Sequence, residues 1–404
     1  MNSKSIVAAA MCVAAGAAHA GGLDRSGQSI SAIFADNDSP AISLGYVSPS
    51  VSGTDIGGTG RYSVGNDYKQ YGFSYTNNVN DSLSYALIVE QPYGTHVTYE
   101  GNPLTDNLAG TSAELSSRAA SVVLRYRFGE RFSIHGGVSY EAVKADVTLN
   151  GAAYRDAITS AALIRATPGL TRSNFANQLA TNPAIAGAIA AQSTAFVLNN
   201  GYAFNMQEDS AFNYLIGATY EIPDIALRFA ATYRFETDHS ASTVETVFGR
   251  FLAGTVNYKT PQSLNLDFQT GIAENTLLTA SYRWTDFSAV NVVPMLLQSD
   301  LVNIDDSHRY TLGLAHRFND SLAASVTFIY EPENNDPTVS PLGPTDGLFG
   351  ITVGGQYTFD NLKLSGGINY SRLGDANPGV AGTPVASFTD NSAIGIGVKA
   401  AFSF

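Results

Sequence analysis

Hydrophobic and polar positions alternate along most of the chain with a period of two. The pattern is clearest at the C-terminus, where Ile394, Ile396 and Val398 alternate with glycines and with Lys399. Successive side chains of a β-strand point to opposite faces, so this segment has one apolar face and one small or polar face. Such alternation is typical of a transmembrane β-barrel, which turns apolar side chains to lipid and polar ones to its lumen.

Similar alternation recurs upstream between groups of turn residues. It predicts fourteen strands, at residues 41–53, 68–77, 83–100, 115–128, 132–149, 207–222, 225–247, 254–270, 277–290, 307–318, 322–331, 347–359, 361–372 and 391–404. The connections alternate between short turns and longer segments, as in barrels with short periplasmic turns and long extracellular loops. The sequence therefore predicts an all-β fold, a 14-stranded antiparallel transmembrane β-barrel over 41–404 with both termini on the periplasmic side.

The first twenty residues are typical of a secretory signal peptide. Lys4 precedes an apolar run, and Ala18, His19 and Ala20 form a small-residue cleavage site. The one cysteine, Cys12, lies within this segment, so no disulfide is expected in the mature chain. The formal net charge of −13 argues against a nucleic-acid partner. The 21 Tyr and 21 Phe favour a barrel with aromatic girdles over a soluble periplasmic protein. We expect a location in the outer membrane of a Gram-negative bacterium.

Two segments lack the strand pattern. Residues 21–40 are polar and alternate weakly, which fits either a disordered tail or a plug inside the lumen. Residues 150–206 form the longest connection and are rich in alanine, which favours two or three short helices on the extracellular side. Their apolar side chains either pack together as a cap or capture an apolar ligand in a groove. The candidates for such a groove are Leu163, Leu170, Phe175, Leu179, Ile189 and Phe196.

Because successive side chains of a strand point to opposite faces, the alternation places several basic side chains in the lumen. One of them could pair with the head group of an apolar carboxylate. Most buried charges in a lumen simply pair with each other. The candidate ligand-binding residues are Arg125, Arg127, Arg234, Arg283, Arg309 and Lys399. The histidines fall in no recognisable catalytic motif, and no acidic run has the spacing of a calcium loop. We therefore expect no catalytic residue, metal site or cofactor.

Several local runs resemble the FadL-type outer-membrane transporters of long-chain fatty acids and other hydrophobic compounds. They are residues 24–28 (DRSGQ), 91–94 (QPYG), 259–263 (KTPQS) and 341–347 (PLGPTDG). The resemblance covers the whole mature chain, including the number of strands and the long third extracellular loop. It implies that residues 21–40, with Arg25, form a hatch that plugs the barrel. An Asn-Pro-Ala motif follows the hatch in that family, and here Ser39, Pro40 and Ala41 stand at that point.

In that family the ligand leaves sideways through a gap in the wall at a kink in strand three. The corresponding residues are Pro92, Tyr93 and Gly94. Proline cannot donate to a strand ladder, and a glycine two residues later permits a bulge. These residues therefore predict a break in the wall, and a benign bulge near the rim is the alternative.

The resemblance implies passive uptake of hydrophobic small molecules, such as long-chain fatty acids or aromatic hydrocarbons, with lateral release at residues 92–94. The alternatives are a general diffusion porin for polar solutes and, from another class, a lipid-modifying barrel enzyme or an adhesin. The expected partners are the hydrophobic ligand, outer-membrane lipid and lipopolysaccharide, and a monomer is the family expectation.

Overall fold

The computed structural model of the protein describes residues 23–334 and 336–403. The predicted signal peptide at 1–20, the first two residues of the predicted hatch and the terminal Phe404 lie outside these ranges. Within them the chain forms fourteen long wall strands, three helices and several short elements in the connections.

The wall strands are numbered here in chain order, and three of them consist of two segments. They are β1 (Ser39–Ser50), β2 (Tyr68–Asn78), β3 (Leu83–Glu90 and Gly94–Thr98), β4 (Ser112–Phe128), β5 (Phe132–Leu149), β6 (Tyr202–Ile222), β7 (Leu227–Arg234 and Thr237–Val247), β8 (Arg250–Thr260 and Ser263–Ala273), β9 (Thr276–Thr285), β10 (Ser307–Arg317), β11 (Leu322–Glu331), β12 (Leu348–Phe359), β13 (Leu362–Leu373) and β14 (Asn391–Phe402).

Each wall strand pairs antiparallel with its neighbours in the chain, and β14 returns to pair with β1. The register of this closing pair sets Leu44 opposite Val398 and Tyr46 opposite Ile396, all four with exposed side chains. Their apolar atoms face outward because lipid, rather than water, covers this face. The predicted fold class, a closed 14-stranded antiparallel barrel, is confirmed.

The connections at the two ends of the barrel differ in length. Short turns join β2 to β3, β4 to β5 and every second pair after them, as predicted. One prediction is wrong at the other end, where a longer segment was expected between β7 and β8. Only Phe248 and Gly249 join these strands, with φ angles of +52° and +72°. Two successive positive φ angles match the tight hairpin turns that continue the strand twist, so both strands extend to the tip.

The long connection between β5 and β6 contains three helices. They are α1 (Ala152–Ala166), α2 (Arg172–Thr181) and α3 (Pro183–Leu198). Thr171 caps α2 through a reciprocal pair of hydrogen bonds with Asn174, and Asn182 caps α3 just before Pro183. In the described part of the chain, no helix combines the length and apolar character that crossing a bilayer requires.

Residues 23–38 run inside the barrel, with a short 3₁₀ helix at Ser31–Phe34. Ile30 and Ile33 are buried against lumen-facing residues of the wall, among them Ile88 and Leu215. Ala32 accepts a hydrogen bond from the Thr76 hydroxyl at 2.6 Å through its carbonyl oxygen. This segment, called the plug below, therefore fills the lumen at the level of the 3₁₀ helix.

Candidate transport site

The strand β3 is interrupted at residues 91–93. Its first segment pairs with β2 as far as Phe73 and Val89, and its second segment pairs with β4 from Gly94 to Thr98. The ladder between β2 and β3 therefore stops at the interruption, since Pro92 has no backbone N–H to donate. Beside the break, the Tyr71 N–H donates to the Gln91 side chain at 3.0 Å.

The plug takes up the backbone groups that the interruption leaves unpaired. The Arg25 N–H donates to the Pro92 carbonyl and the Gly94 N–H donates to the Leu23 carbonyl, both at 2.8 Å. Tyr93 is held from the other side, where its N–H donates to the Ser117 hydroxyl at 2.7 Å. The backbone groups of Pro92, Tyr93 and Gly94 are thus hydrogen-bonded although the ladder to β2 is broken, and part of this bonding comes from the plug.

A cavity of about 240 Å³ lies between the plug and the extracellular loops, directly behind the interruption. Leu23 and Arg25 of the plug and Tyr93 and Gly94 of β3 belong to its lining. The rest of the lining is mostly apolar and comes from β4, β5, β6 and the loops before β10 and β12, with Leu115, Val143, Phe204, Met206, Phe287, Val292, Leu301 and Leu342 among its residues. A largely apolar concave space with a few polar groups is the usual form of a site for a hydrophobic small molecule.

The charged groups of the lining are mostly satisfied within the protein. The Asp346 carboxylate accepts hydrogen bonds from the backbone and side chain of Asn334 at 2.9 and 3.0 Å, and burial raises the pKa of Asp346. Lys259 pairs with Glu236 at 2.5 Å, and Glu331 pairs with Arg309. These groups hold the loops and walls of the cavity in place rather than offering free charge to a ligand.

None of the six basic residues predicted to bind the ligand in the lumen lines the cavity. Three of the arginines form ion pairs at two levels of the barrel. Arg283 pairs with Asp24 of the plug at 2.6 Å, and Arg309 lies 3.8 Å from the same carboxylate. Arg125 lies near the other end, where it contacts Glu221 and the Phe34 ring.

The other three candidates have different partners. Arg234 donates to Asn213 at 3.3 Å, and Arg127 donates to the Asp81 carbonyl at 3.2 Å. Lys399 lies between Ser43 and Ser365 in the ladder. The basic residues of the lining are instead Arg25 and Lys259. Arg25 was predicted only as part of the hatch, and nothing local in the sequence indicates that it faces a cavity.

Comparison with known proteins agrees with this architecture. Residues 58–404 match the family described as outer membrane protein transport protein (OMPP1/FadL/TodX). The chain belongs to this family. Its members are transport proteins of the outer membrane and not enzymes, which confirms the prediction that the chain is no enzyme. A comparison with curated protein sequences found no match.

Solved structures share the family fold at low sequence identity. A Pseudomonas aeruginosa FadL homologue superposes with a TM-score of 0.68 at 12% identity, covering 96% of this chain and 97% of that one. The P. putida toluene transporter TodX superposes with a TM-score of 0.64 at 16% identity, covering 92% and 91%. The Ralstonia pickettii toluene transporter TbuX has a TM-score of 0.60 at 12% identity, covering 92% and 91%.

The residues that stand where the family has its Asn-Pro-Ala motif begin the wall. Ser39, Pro40 and Ala41 are the first residues of β1 and pair with Thr76, Tyr75 and Ser74 of β2. The segment inside the lumen therefore ends at residue 38, and Ser39 is where the chain joins the barrel wall.

The apolar residues predicted on the helices mostly contact one another. Leu163 and Leu170 are buried together with Ile185, and Phe175 and Ile189 pack against them. Phe196 is fully buried beside Phe248, and Leu179 is 37% exposed. None of the six predicted groove residues lines the cavity. The helices form a packed cap on the extracellular side.

Proposed function

We propose that the protein carries hydrophobic small molecules passively across the outer membrane and releases them sideways at the interruption of β3. The ligand enters from the extracellular side, occupies the cavity above the plug and leaves through the wall between β2 and β3. The cavity, the plug and the interruption all belong to one barrel, so a single chain suffices for this route.

The observation that carries the proposal is the position of the interruption. The ladder between β2 and β3 ends at Phe73 and Val89, and Tyr93 and Gly94 just beyond it line the cavity. The lining also includes His96 and Glu114, which are opposite each other in the ladder and have exposed side chains. An apolar space beside an unpaired stretch of wall offers a hydrophobic ligand a route that never crosses water.

The plug supports this route over an aqueous pore. Residues 23–38 occupy the lumen and are tied to it by the Asp24–Arg283 ion pair at 2.6 Å and by Ile30 and Ile33 in the apolar cluster. A general diffusion porin keeps a water-filled channel through the same space. We therefore expect slow entry of sugars into liposomes that contain the intact protein.

A reversible crosslink across the interruption tests the lateral route. Cysteines replacing Tyr71 and Gln91, whose backbone and side chain already touch, are joined by a short bis-methanethiosulfonate reagent. We expect uptake of labelled oleate by intact cells lacking their own transporter to fall on crosslinking and to return after reduction. The control joins Tyr357→Cys and Leu364→Cys, an outward-facing pair on the paired strands β12 and β13.

The control crosslink should leave uptake unchanged because no route passes between those strands. Unchanged uptake across the crosslinked interruption would contradict lateral release. Fast sugar entry into liposomes with the plug intact would contradict the plugged transporter itself.

A further inference from the structure

The side chain of Arg25 spans the unpaired stretch of the wall from inside. Its guanidinium carbon lies 3.3 Å from the centre of the Tyr68 ring, at the start of β2. Its Nε donates to the Gly94 carbonyl at 2.7 Å, where β3 resumes. The Arg25 carbonyl in turn accepts from the Gln70 side chain at 2.9 Å. One plug residue therefore connects both edges of the opening.

Arg25 also faces the cavity without a counter-charge. It forms no ion pair with any residue in the described ranges, and its Nη1 has no hydrogen-bond partner there. Lys259, the other basic residue of the lining, is paired with Glu236. Burial lowers the pKa of Arg25, but a guanidinium keeps its charge at neutral pH. The cavity thus presents one cation whose partner is an aromatic ring instead of a carboxylate.

We propose that Arg25 is a latch across the β2–β3 opening and that an anionic head group on the ligand, a carboxylate, releases it. This inference rests on the proposed function, because it assigns the ligand class and the trigger for the same route. A carboxylate in the cavity accepts two parallel hydrogen bonds from the guanidinium. To reach that geometry the guanidinium must leave the Tyr68 ring and the Gly94 carbonyl. The two edges then lose their side-chain link and keep only the backbone links of Arg25 to Pro92 and Gln70.

The same reasoning separates amphipathic acids from neutral hydrocarbons. A neutral ligand fills the apolar part of the cavity but offers the guanidinium no charge, so the contacts to Tyr68 and Gly94 persist. A charged ligand exchanges a cation–π contact for a charge-assisted pair in a poorly hydrated site, where such pairs are strongest. Head-group recognition and opening of the wall are thereby coupled through one side chain.

The binding test compares dodecanoate with dodecanol, which share a chain length and differ in head-group charge. In purified protein we expect Arg25→Met to weaken dodecanoate binding by roughly 10- to 100-fold, the loss expected for a hydrogen bond to a charged group. Dodecanol binding should change little. Arg25→Lys should recover part of the preference for the acid, and Arg118→Met, which removes a paired cation outside the cavity, should leave it unchanged.

The opening is measured separately by the distance between spin labels on Lys69→Cys and His96→Cys, exposed positions on the two edges. Dodecanoate should widen this distance in the otherwise native protein, and dodecanol should not. In the Arg25→Met protein the wide form should be present before any ligand is added. The shift in electrophoretic mobility on heating verifies that each variant forms a barrel. If Arg25→Met does not form one, Arg25→Lys is measured in its place.

Equal binding of acid and alcohol by the native protein, or a label distance that responds to both alike, would overturn the latch while leaving passive hydrophobic uptake intact. Binding of neither ligand, with no uptake by cells, would instead overturn the proposed function. The two failures are therefore distinguishable.

Discussion

Replacing Asp24 by alanine should loosen the plug more than any exposed substitution on it. Asp24 and Arg283 are almost fully buried, with side chains 2% and 7% exposed, and their charged atoms are 2.6 Å apart. Removing one partner of a buried ion pair costs about 3–5 kcal/mol because the other charge is left uncompensated. Arg283 keeps hydrogen bonds to Gln28 and Asn265, so the cost should fall near 3 kcal/mol.

The plug offers a matched control at its other end. Lys363 pairs with Asp36 at the same 2.6 Å, but the two side chains are 22% and 60% exposed. Solvent screens such pairs, so Lys363→Met should cost less than about 1 kcal/mol. Asp24→Ala removes the buried pair with Arg283 together with the longer contact to Arg309, whereas Lys363→Met removes one largely exposed pair.

Amide hydrogen exchange of residues 23–38, measured by mass spectrometry in micelles, reports how often the plug leaves the lumen. A loss near 3 kcal/mol corresponds to a rise of roughly 100-fold in exchange of the Arg25 amide, which donates to Pro92 in the docked state. Lys363→Met should raise it by roughly fivefold or less. Equal exchange in the two variants would refute the argument that burial decides the strength of the pair.

Three further outcomes are expected. Glu245→Ala should make the loop before β10 more sensitive to proteases. The buried Glu245 carboxylate accepts a hydrogen bond from the Met295 N–H at 2.8 Å, and losing such an acceptor costs about 1–3 kcal/mol. An unchanged rate of cleavage would contradict this. Phe34→Ala should speed sugar entry into liposomes, since two arginines lie over the Phe34 ring at 4.7 and 4.2 Å, and entry at the native rate would count against that anchor. The Asn102 N–H lowers the pKa of Asp106, so its stabilising contribution is present above about pH 4 and lost as the pH falls through the lowered pKa. Amide exchange in the loop between β3 and β4, which contains Asp106, should rise only in this acid range. An equal rise in the Asp106→Asn protein would exclude the Asp106 carboxylate as its cause.

The wall was predictable because lipid imposes a rule on every second side chain. Ile394, Ile396 and Val398 had to share a face, and the structure places them all outward. The alternation fades where strands rise above the membrane into water. The tight two-residue turn at Phe248 and Gly249, which joins β7 to β8 with two positive φ angles, was therefore not predicted.

The candidate site depends on contacts that no local pattern encodes. The interruption at Pro92 was visible because proline breaks a ladder in any sequence context. The role of Arg25 was not visible, because its partners Tyr68 and Gly94 lie on two different strands. The alternation along the strands places arginines such as Arg283 in the lumen. Only the path of the plug decides which of them pairs with a carboxylate.

The plug contacts have a consequence for the order in which the protein assembles. Asp24 meets Arg283 at a separation of 259 residues, Gly27 meets Asn265 at 238, and Asp36 meets Lys363 at 327. Contacts this distant in sequence cannot form until most of the wall strands exist and have been brought into register. Among the described residues, the plug therefore gains its anchors on β8, β9 and β13 late, and a barrel halted before β8 would hold it only through contacts nearer in sequence, such as those to β2 and β3.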